Sequence, residues 1–230
     1  SPKISLPSNT GIEMFQTNRA YRANELYGAD KSITRKEFYE YKYDTYYSEK
    51  SVMRYALDSF LEDVDTANEL LLQGVDILKK WDLGNQKDNR GAALAHLTFK
   101  LTYDINDFDY NYQFYLTKFE ESCKFLIDNY GRLDIELGQL QVIKRGDSEY
   151  PLDGGPDILR AIYSKFDGDK KVATHGDCFF QMVEWDKDGN VSAESIHQYG
   201  AATLDKKSPY YGDQSKLFSD LDMKPCYLSM

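Results

Sequence analysis

Residues 150–199 read YPLDGGPDILRAIYSKFDGDKKVATHGDCFFQMVEWDKDGNVSAESIHQY and decide the fold class. The opening YPLDGGP predicts a loop, because it concentrates proline, glycine and aspartate. Three strand-like runs follow at residues 158–166, 179–185 and 191–199, with Asp-Gly turns between them. The middle run, FFQMVEW, is apolar on both faces, which is typical of a sheet covered on both sides. The segment therefore predicts an antiparallel meander.

The part of the chain before this segment shows helical periodicity. Thr34 and Glu37 form a capping-box pattern, which predicts a helix that carries the aromatic residues of positions 38–46. Ser48 and Asp65 are the predicted N-caps of the next two helices. The remaining predicted boundaries are a stop at Gly84-Asn85, a helix over residues 90–103, and a helix over residues 110–130 closed by Gly131.

A helical array followed by antiparallel strands is an α+β pattern. We predict a helical region over residues 1–149 and an antiparallel β meander with a closing segment over residues 150–230. Three strands with two apolar faces make a small sheet, and a bare face or an unpaired edge promotes association. We therefore expect segments outside this sequence to complete the sheet.

The net charge is −10, from 28 basic and 38 acidic residues, and Lys and Arg form no dense stripe. Such a charge repels nucleic acids and anionic membrane surfaces, whose binding depends on cationic side chains. No apolar run is long enough to span a bilayer, and no secretory leader opens the sequence. The sequence thus predicts neither a nucleic-acid partner nor a membrane segment.

The three cysteines lie far apart, which excludes a four-thiolate zinc site and a small-domain disulfide framework. Cys123 lies in an apolar helical pattern and is predicted to be buried. Cys178 and Cys226 could pair in an oxidising compartment.

The three histidines show no obvious nucleophile partner, and there is no Gly-x-Ser-x-Gly elbow. His96 lies on an apolar helix, which predicts core or interface packing. His197 lies in a predicted strand and is expected to be structural or at the surface. His175 is the most accessible candidate, in a predicted loop, but has no identifiable partner.

Two acidic segments begin like calcium loops and then depart from the pattern. The first, Asp107-x-Asp109-x-Asn111, has Tyr112 where glycine is needed and Lys118 where a bidentate glutamate belongs. The second, DKDGN at residues 186–190, has its glycine misplaced and predicts a hairpin turn. We therefore predict no metal site and no cofactor site in this sequence.

Several short motifs then follow one another along nearly the whole chain. They are GIE at 11–13, TNRAYRA at 17–23, LKKWD at 78–82, RGAA at 90–93, DGGPD at 153–157, GDC at 176–178, QYG at 198–200 and SPYYGDQ at 208–214. In this order they resemble the β chain of the penicillin and acyl-homoserine-lactone acylases. The closing motif is the most specific, because it is close to the Tyr-x-Asp-Gln signature near that family's carboxy terminus.

The resemblance implies an N-terminal-nucleophile hydrolase with a four-layer αββα fold, of which this chain would be the carboxy-terminal portion. In that family an internal cleavage exposes a serine at the start of the β chain. The serine hydroxyl attacks the amide carbonyl while its own α-amine acts as the base. An asparagine side chain and a backbone N–H stabilise the oxyanion.

Ser1 does not fit this nucleophile, because Pro2 follows it where the family has asparagine and the first histidine is His96. The oxyanion asparagine is expected well upstream of Arg19, and Asn9 lies too near to fill that place. The resemblance therefore implies that the catalytic nucleophile lies outside this sequence, and we expect this portion alone to be inactive.

Arg19 is the one functional residue that the resemblance carries over. An arginine on this helix lies beside the family's active site and helps to orient the oxyanion asparagine and the substrate. Arg22 is the neighbouring alternative, and an ion pair of Arg19 with Glu25 or another carboxylate is the structural alternative. Asp213 and Gln214 match the closing motif and are expected to tie down the terminal segment.

The expected function of the intact protein is hydrolysis of an N-acyl amide, such as an acyl-homoserine lactone (quorum quenching) or a penicillin antibiotic. The expected partners are an upstream β-chain segment, an α chain and the small acylated substrate, in the periplasm or outside the cell. The family's calcium ligands lie mainly upstream, so calcium is expected at most in the intact enzyme. The alternative is a non-catalytic interaction or structural domain derived from the same fold.

Overall fold

The computed structural model describes residues 16–99 and 110–227. Within these residues, seven helices precede the first strand, as the sequence predicts, and one short helix lies between the last two strands. The helices are α1 (Asn18–Leu26), α2 (Arg35–Lys42), α3 (Val52–Asp63), α4 (Glu69–Lys80), α5 (Ala92–Thr98), α6 (Tyr112–Tyr130), α7 (Leu137–Leu140) and α8 (Ser215–Asp220). The strands are β1 (Gln141–Arg145), β2 (Ser148–Pro151), β3 (Ile162–Asp167), β4 (Lys170–Gly176), β5 (Phe180–Trp185), β6 (Val191–Ile196) and β7 (Lys224–Pro225).

Local chemistry fixes one end of each of two predicted helices. The Thr34 hydroxyl accepts from the Glu37 backbone, and the Glu37 carboxylate accepts from the Thr34 backbone, which confirms the capping box. Helix α6 ends as predicted, because Gly131 adopts the left-handed conformation at φ 72° that terminates helices.

Other predicted helix boundaries were wrong. Ser51, not Ser48, caps α3, because the Ser48 hydroxyl donates to Glu25 instead. Asn68, not Asp65, caps α4, since its side-chain oxygen accepts from two backbone N–H groups of the first turn. Three helices also end earlier than predicted: α2 at Lys42, α4 at Lys80 and α5 at Thr98. Residues 100–103 of the predicted fifth helix lie outside the described residues.

The helices enclose one aromatic and aliphatic core. Phe60 and Phe119 are fully buried and meet edge to face, with 5.2 Å between their ring centroids. Cys123 is also fully buried there, as predicted, and burial raises the pKa of its thiol to about 12. Such close packing of helices depends on small residues at the contacts.

The strands form two sheets rather than the single predicted meander. One sheet has the order β2-β1-β4-β3, with a parallel β1–β4 pair and antiparallel pairs elsewhere. The other has the antiparallel order β5-β6-β7. The sequence pattern missed β1, β2, β4 and the two-residue β7, although Gly146 and Gly168 adopt the positive φ of tight hairpin turns next to the first three. The α+β class is nonetheless confirmed.

The predicted covering of residues 179–185 on both faces is not found among the described residues. Met182 is buried, but Val183 is 39% and Trp185 67% exposed. Helix α2 contacts this sheet, since Arg35 pairs with Glu184 of β5 and Glu194 of β6. Ala193, Ser195 and Ile196 of β6 are buried, whereas most of β5 is exposed.

The first strand begins at Gln141, before the predicted boundary at residue 150, because α7 runs directly into β1. The division into two domains stays a prediction. Among the helices of the described residues, none combines the length and the hydropathy needed to cross a membrane.

Candidate functional site

The predicted residue Arg19 lies in the first turn of α1, against the loop of residues 153–157. Its guanidinium Nε donates to Asp157 Oδ1 at 3.3 Å, and the Arg19 side chain is 47% exposed. The other carboxylate oxygen of Asp157 accepts from the Asn18 backbone N–H at 2.8 Å. One carboxylate thus caps the helix and holds the arginine, where the positive end of the helix dipole also favours a negative charge.

Asn18 is the buried anchor of this junction. Its side-chain N–H donates to the Asp157 carbonyl at 2.9 Å and to the Tyr46 carbonyl at 3.3 Å. Its side-chain oxygen accepts from the Ser48 backbone at 2.7 Å. These contacts fix the start of α1 against both the helical core and the loop, so the position of Arg19 is determined from two sides.

Arg22, the alternative candidate, is fully engaged in ion pairs. Its Nε and Nη2 donate to the two oxygens of Asp44 at 2.9 and 2.6 Å, and Nη1 donates to Glu25 at 2.9 Å. The hydrogen bond to Asp44 is the main reason that the pKa of Arg22 is raised. By contrast, the two terminal nitrogens of Arg19 have no partner within residues 16–99 and 110–227. The structural alternative, a pair of Arg19 with a carboxylate, is also present, and that carboxylate is Asp157 rather than Glu25.

His96 is packed in the core, as predicted. Asn85 donates through Nδ2 to the Thr45 and Leu83 carbonyls, so its oxygen faces His96 Nε2 at 2.6 Å. That arrangement assigns the proton to Nε2 of His96, because an amide oxygen can only accept. Burial, together with a smaller effect of the nearby Lys171 charge, lowers the pKa of His96 to about 3.

The other two histidines show no catalytic arrangement. His175 lies in β4 rather than in a loop, and its ring stacks on Tyr163 with 4.7 Å between centroids. The strand extends that far because Tyr163 and His175 face each other in the β3–β4 pairing. His197 follows β6 immediately, and its Nδ1 accepts from the Tyr199 backbone at 3.2 Å, which agrees with a structural role.

Cys178 and Cys226 are both free. The Cys226 backbone donates to Ala193, and Ala193 faces Val183 on β5. Cys178 precedes Val183 by five positions, which is about 16 Å along an extended strand. A disulfide needs Cα atoms within about 7 Å, so the disulfide considered from the sequence does not fit this register.

The acidic segment at residues 186–190 forms the predicted hairpin turn. Asp186 Oδ1 accepts from the backbones of Asp188 and Asn190, each at 2.8 Å, and Gly189 has φ 83°. Asp107 and Asp109 of the other calcium-like segment lie outside the described residues. No group of three His, Cys, Asp or Glu side chains suited to a metal ion occurs in residues 16–99 and 110–227. The expectation of no metal site stays a prediction.

The closing motif has the predicted structural role. The Gln214 backbone donates to the Tyr199 carbonyl at 2.7 Å, and its side-chain oxygen accepts from the His197 backbone at 3.2 Å. A Cβ at Gly200 would lie 2.3 Å from Asp213 Oδ1, so only glycine allows this approach.

Sequence reasoning missed the role of Asp157. In the sequence, the DGGPD motif supports a resemblance and its composition indicates a loop, but neither indicates what the loop contacts. The available signal was the asparagine-arginine pair at the start of α1. The first backbone N–H groups of a helix have no partner within the helix, so a hydrogen-bond acceptor from elsewhere is needed there.

The comparison with protein families gives one match over nearly the whole chain. The family model described as penicillin amidase matches residues 4–230. A search of the curated proteins gives no match. Among solved structures, a thermostable penicillin G acylase from Alcaligenes faecalis is similar, at 12% sequence identity and a TM-score of 0.42. That alignment covers 100% of this chain and 52% of the other, so the chain spans about half the length of that acylase chain. By the match along residues 4–230, the chain belongs to the penicillin amidase family.

Proposed function

We propose that this chain is part of an amide hydrolase, an acylase that cleaves an N-acyl group from a small substrate. Family membership over residues 4–230 supports the reaction class. The observation that supports a role for Arg19 is its pattern of contacts. Asp157 holds Nε of Arg19, while the two terminal nitrogens have no partner in the described part of the chain.

Such an arginine suits the positioning of an oxygen atom. A guanidinium presents several N–H donors in a rigid plane, and holding one of them fixes the direction of the others. Arg19 can therefore donate to the amide oxygen of an oxyanion-binding asparagine or to an acidic group of the substrate. Arg22 cannot do so without losing an ion pair with Asp44 or Glu25.

The proposed reaction is acyl transfer through a serine ester. The serine oxygen forms a bond to the amide carbonyl carbon, and the α-amine of that serine takes the hydroxyl proton. The tetrahedral oxyanion collapses, the C–N bond breaks and the leaving amine takes the proton. Water then cleaves the ester and releases the acid. We propose that the nucleophile and the oxyanion asparagine come from outside residues 1–230.

The remaining features of the proposal follow from the resemblance. We expect an upstream β-chain segment and an α chain as partners, export to the periplasm or the medium, and calcium, where bound, outside this part of the protein. Among substrates we favour fatty-acyl homoserine lactones over penicillins.

The test uses the complete protein with an N-acyl-homoserine lactone and a penicillin as substrates, and measures the primary amine that is released. We expect hydrolysis by the wild type and a loss of about 100-fold in kcat/KM for Arg19→Ala, the scale of removing an oxyanion-stabilising contact. Arg19→Lys should recover part of the loss. The matched control is Arg132→Ala, because Arg132 is an exposed arginine paired with Asp134 and remote from α1.

No release of amine from any N-acyl substrate by the complete protein would refute the proposed function and favour the interaction-domain alternative. Hydrolysis that Arg19→Ala leaves unchanged would keep the reaction class and remove Arg19 from the site.

A further inference from the structure

Asp157 forms two directed contacts with neighbouring residues of α1. Its Oδ2 accepts from the Asn18 backbone at 2.8 Å, and its Oδ1 accepts from Arg19 Nε at 3.3 Å. Because both oxygens of one rigid carboxylate are used, the arginine side chain is tied to the helix start. Rotation of the Arg19 side chain away from this position would break the charge-assisted contact.

The backbone of Asp157 is held in an unfavourable conformation. Its φ of 55° lies in the left-handed region, which costs most residues other than glycine about 1 kcal/mol or more. Aspartate and asparagine tolerate the region better than other side chains. A glycine there would relieve the strain but would supply no carboxylate, so the aspartate meets two requirements at once.

The loop that carries Asp157 is braced from behind. The Asp157 N–H donates to the Tyr163 hydroxyl at 3.2 Å, and the Tyr47 hydroxyl donates to the Pro156 carbonyl at 2.8 Å. The backbone at Gly155 lies directly on the buried His96 ring, where a Cβ would be 2.7 Å from a ring carbon. The carboxylate is therefore presented to α1 by a rigid support, as positioning of a functional group requires.

We propose that Asp157 is the positioning residue for Arg19. It fixes the guanidinium through Nε and leaves the terminal nitrogens to act on the oxygen that the site must orient. The inference rests on the proposed function for its catalytic consequence, but the positioning itself is a property of this chain.

The first test measures the order of Arg19 directly, without activity. In the complete protein, the Nε–H resonance of Arg19 is assigned by its disappearance in Arg19→Lys, and its ¹⁵N relaxation is measured. Asp157→Asn keeps a side chain that tolerates positive φ and can accept from the Asn18 backbone, but it removes the charge. We expect the order parameter of Arg19 Nε–H to fall to the flexible range, below about 0.6. The matched control is Asp134→Asn, beside Arg132, which should leave Arg19 unchanged.

The second test is a double-mutant cycle in the complete protein. We expect Asp157→Asn to lower kcat about 10-fold with little change in KM, because the contact serves the transition state. In an Arg19→Ala background the same substitution should have no further effect on kcat, since coupled residues are not additive. Asp157→Glu should restore part of the kcat, and thermal unfolding of each variant separates a fold defect from a positioning defect.

An Arg19 Nε–H that stays equally ordered in Asp157→Asn overturns the inference, whatever the activity of the protein. So does an equal loss of kcat in both backgrounds. A complete protein without amide hydrolysis refutes the proposed function alone, and the relaxation measurement then decides whether Asp157 positions Arg19.

Discussion

His96 and Asn85 form a buried polar pair whose protonation is set by burial. Nε2 of His96 donates to Asn85, and Nδ1 has no hydrogen-bond partner in the described part of the chain. A protonated imidazole at this place would leave a charged N–H in the core without an acceptor, which is costly. The histidine is therefore neutral in the folded chain at any pH that preserves the fold.

This neutrality predicts a specific acid sensitivity. The pKa of His96 is about 3 when folded and 6.5 when free, so the unfolded chain binds the proton between these values and acidification favours unfolding. Because of His96, the free energy of unfolding should be about 2 kcal/mol lower at pH 5 than at pH 8. Above about pH 7.5, His96 should contribute no pH dependence. Denaturant unfolding at both pH values should show a smaller fall for His96→Gln than for the wild type.

The control for this prediction is His175→Gln, because His175 is exposed on β4 rather than buried in the core. Parallel falls in stability for the wild type and His96→Gln would contradict the assignment of a buried neutral histidine.

Helices α4 and α6 show how one missing side chain sets the distance between two elements. A Cβ on Gly74 of α4 would lie 2.7 Å from the Phe119 ring and 2.9 Å from Cys123 Sγ, both on α6. Glycine in a helix interior costs about 1 kcal/mol relative to alanine. Here that cost is offset by close packing of two buried surfaces.

The corresponding prediction is that Gly74→Ala destabilises the protein by about 1–3 kcal/mol, since overpacking outweighs the gain in helix propensity. Equilibrium unfolding in urea measures the change. Gln73→Ala is the matched control, because residue 73 is the exposed neighbour on the same helix and should change stability by less than about 0.5 kcal/mol. A stabilised Gly74→Ala variant would show that α4 and α6 can separate without loss.

At the scale of the whole molecule, Arg160 joins the helical region to the strands. Its fully buried guanidinium contacts Asp177 at 3.3 Å and donates to the Phe218 carbonyl of α8 at 2.8 Å. Lys42 of α2 shares the same Asp177 oxygen at 2.8 Å. Burial lowers the pKa of Arg160, while Asp177 opposes that shift. Asp177 is thus the shared counter-charge for cations from two regions.

Removal of the Asp177 charge should strongly destabilise the fold. We expect Asp177→Asn to cost about 3 kcal/mol or more, because it leaves a buried arginine without its carboxylate. The double variant Arg160→Met with Asp177→Asn should lose less than the sum of the two single changes. Thermal and urea unfolding give the values, and Asp128→Asn, in the exposed pair with Lys124, is the control that should change little. Additive losses would show that the two residues act independently.

One residue of the candidate site, Arg19, was predictable from the sequence, whereas its partner Asp157 was not, because their contact is long-range. Arg19 was found because its neighbours resemble a family motif, but Asp157 lies 138 positions away and no local pattern connects the two. The structural alternative predicted for Arg19 was an ion pair with Glu25 or another carboxylate. In the folded chain Glu25 instead accepts from Arg22 and Ser48.

The sequence by itself determined the α+β class, the capping box of α2, the Gly131 end of α6, the burial of Cys123 and the turn at residues 186–190. The two helix ends and the turn depend on contacts between neighbours along the chain, where backbone geometry leaves few alternatives. The class and the burial of Cys123 follow from the periodicity of apolar residues.

Only the tertiary structure decided the pairing of the strands into two sheets, the separation of Cys178 from Cys226, the buried place of Arg160 and the hold of Asp157 on Arg19. These features join residues far apart in sequence, and short patterns do not encode which distant surfaces will meet. The physical reason is that long-range contacts are fixed by the packing of the complete core, in which every element limits the position of the others.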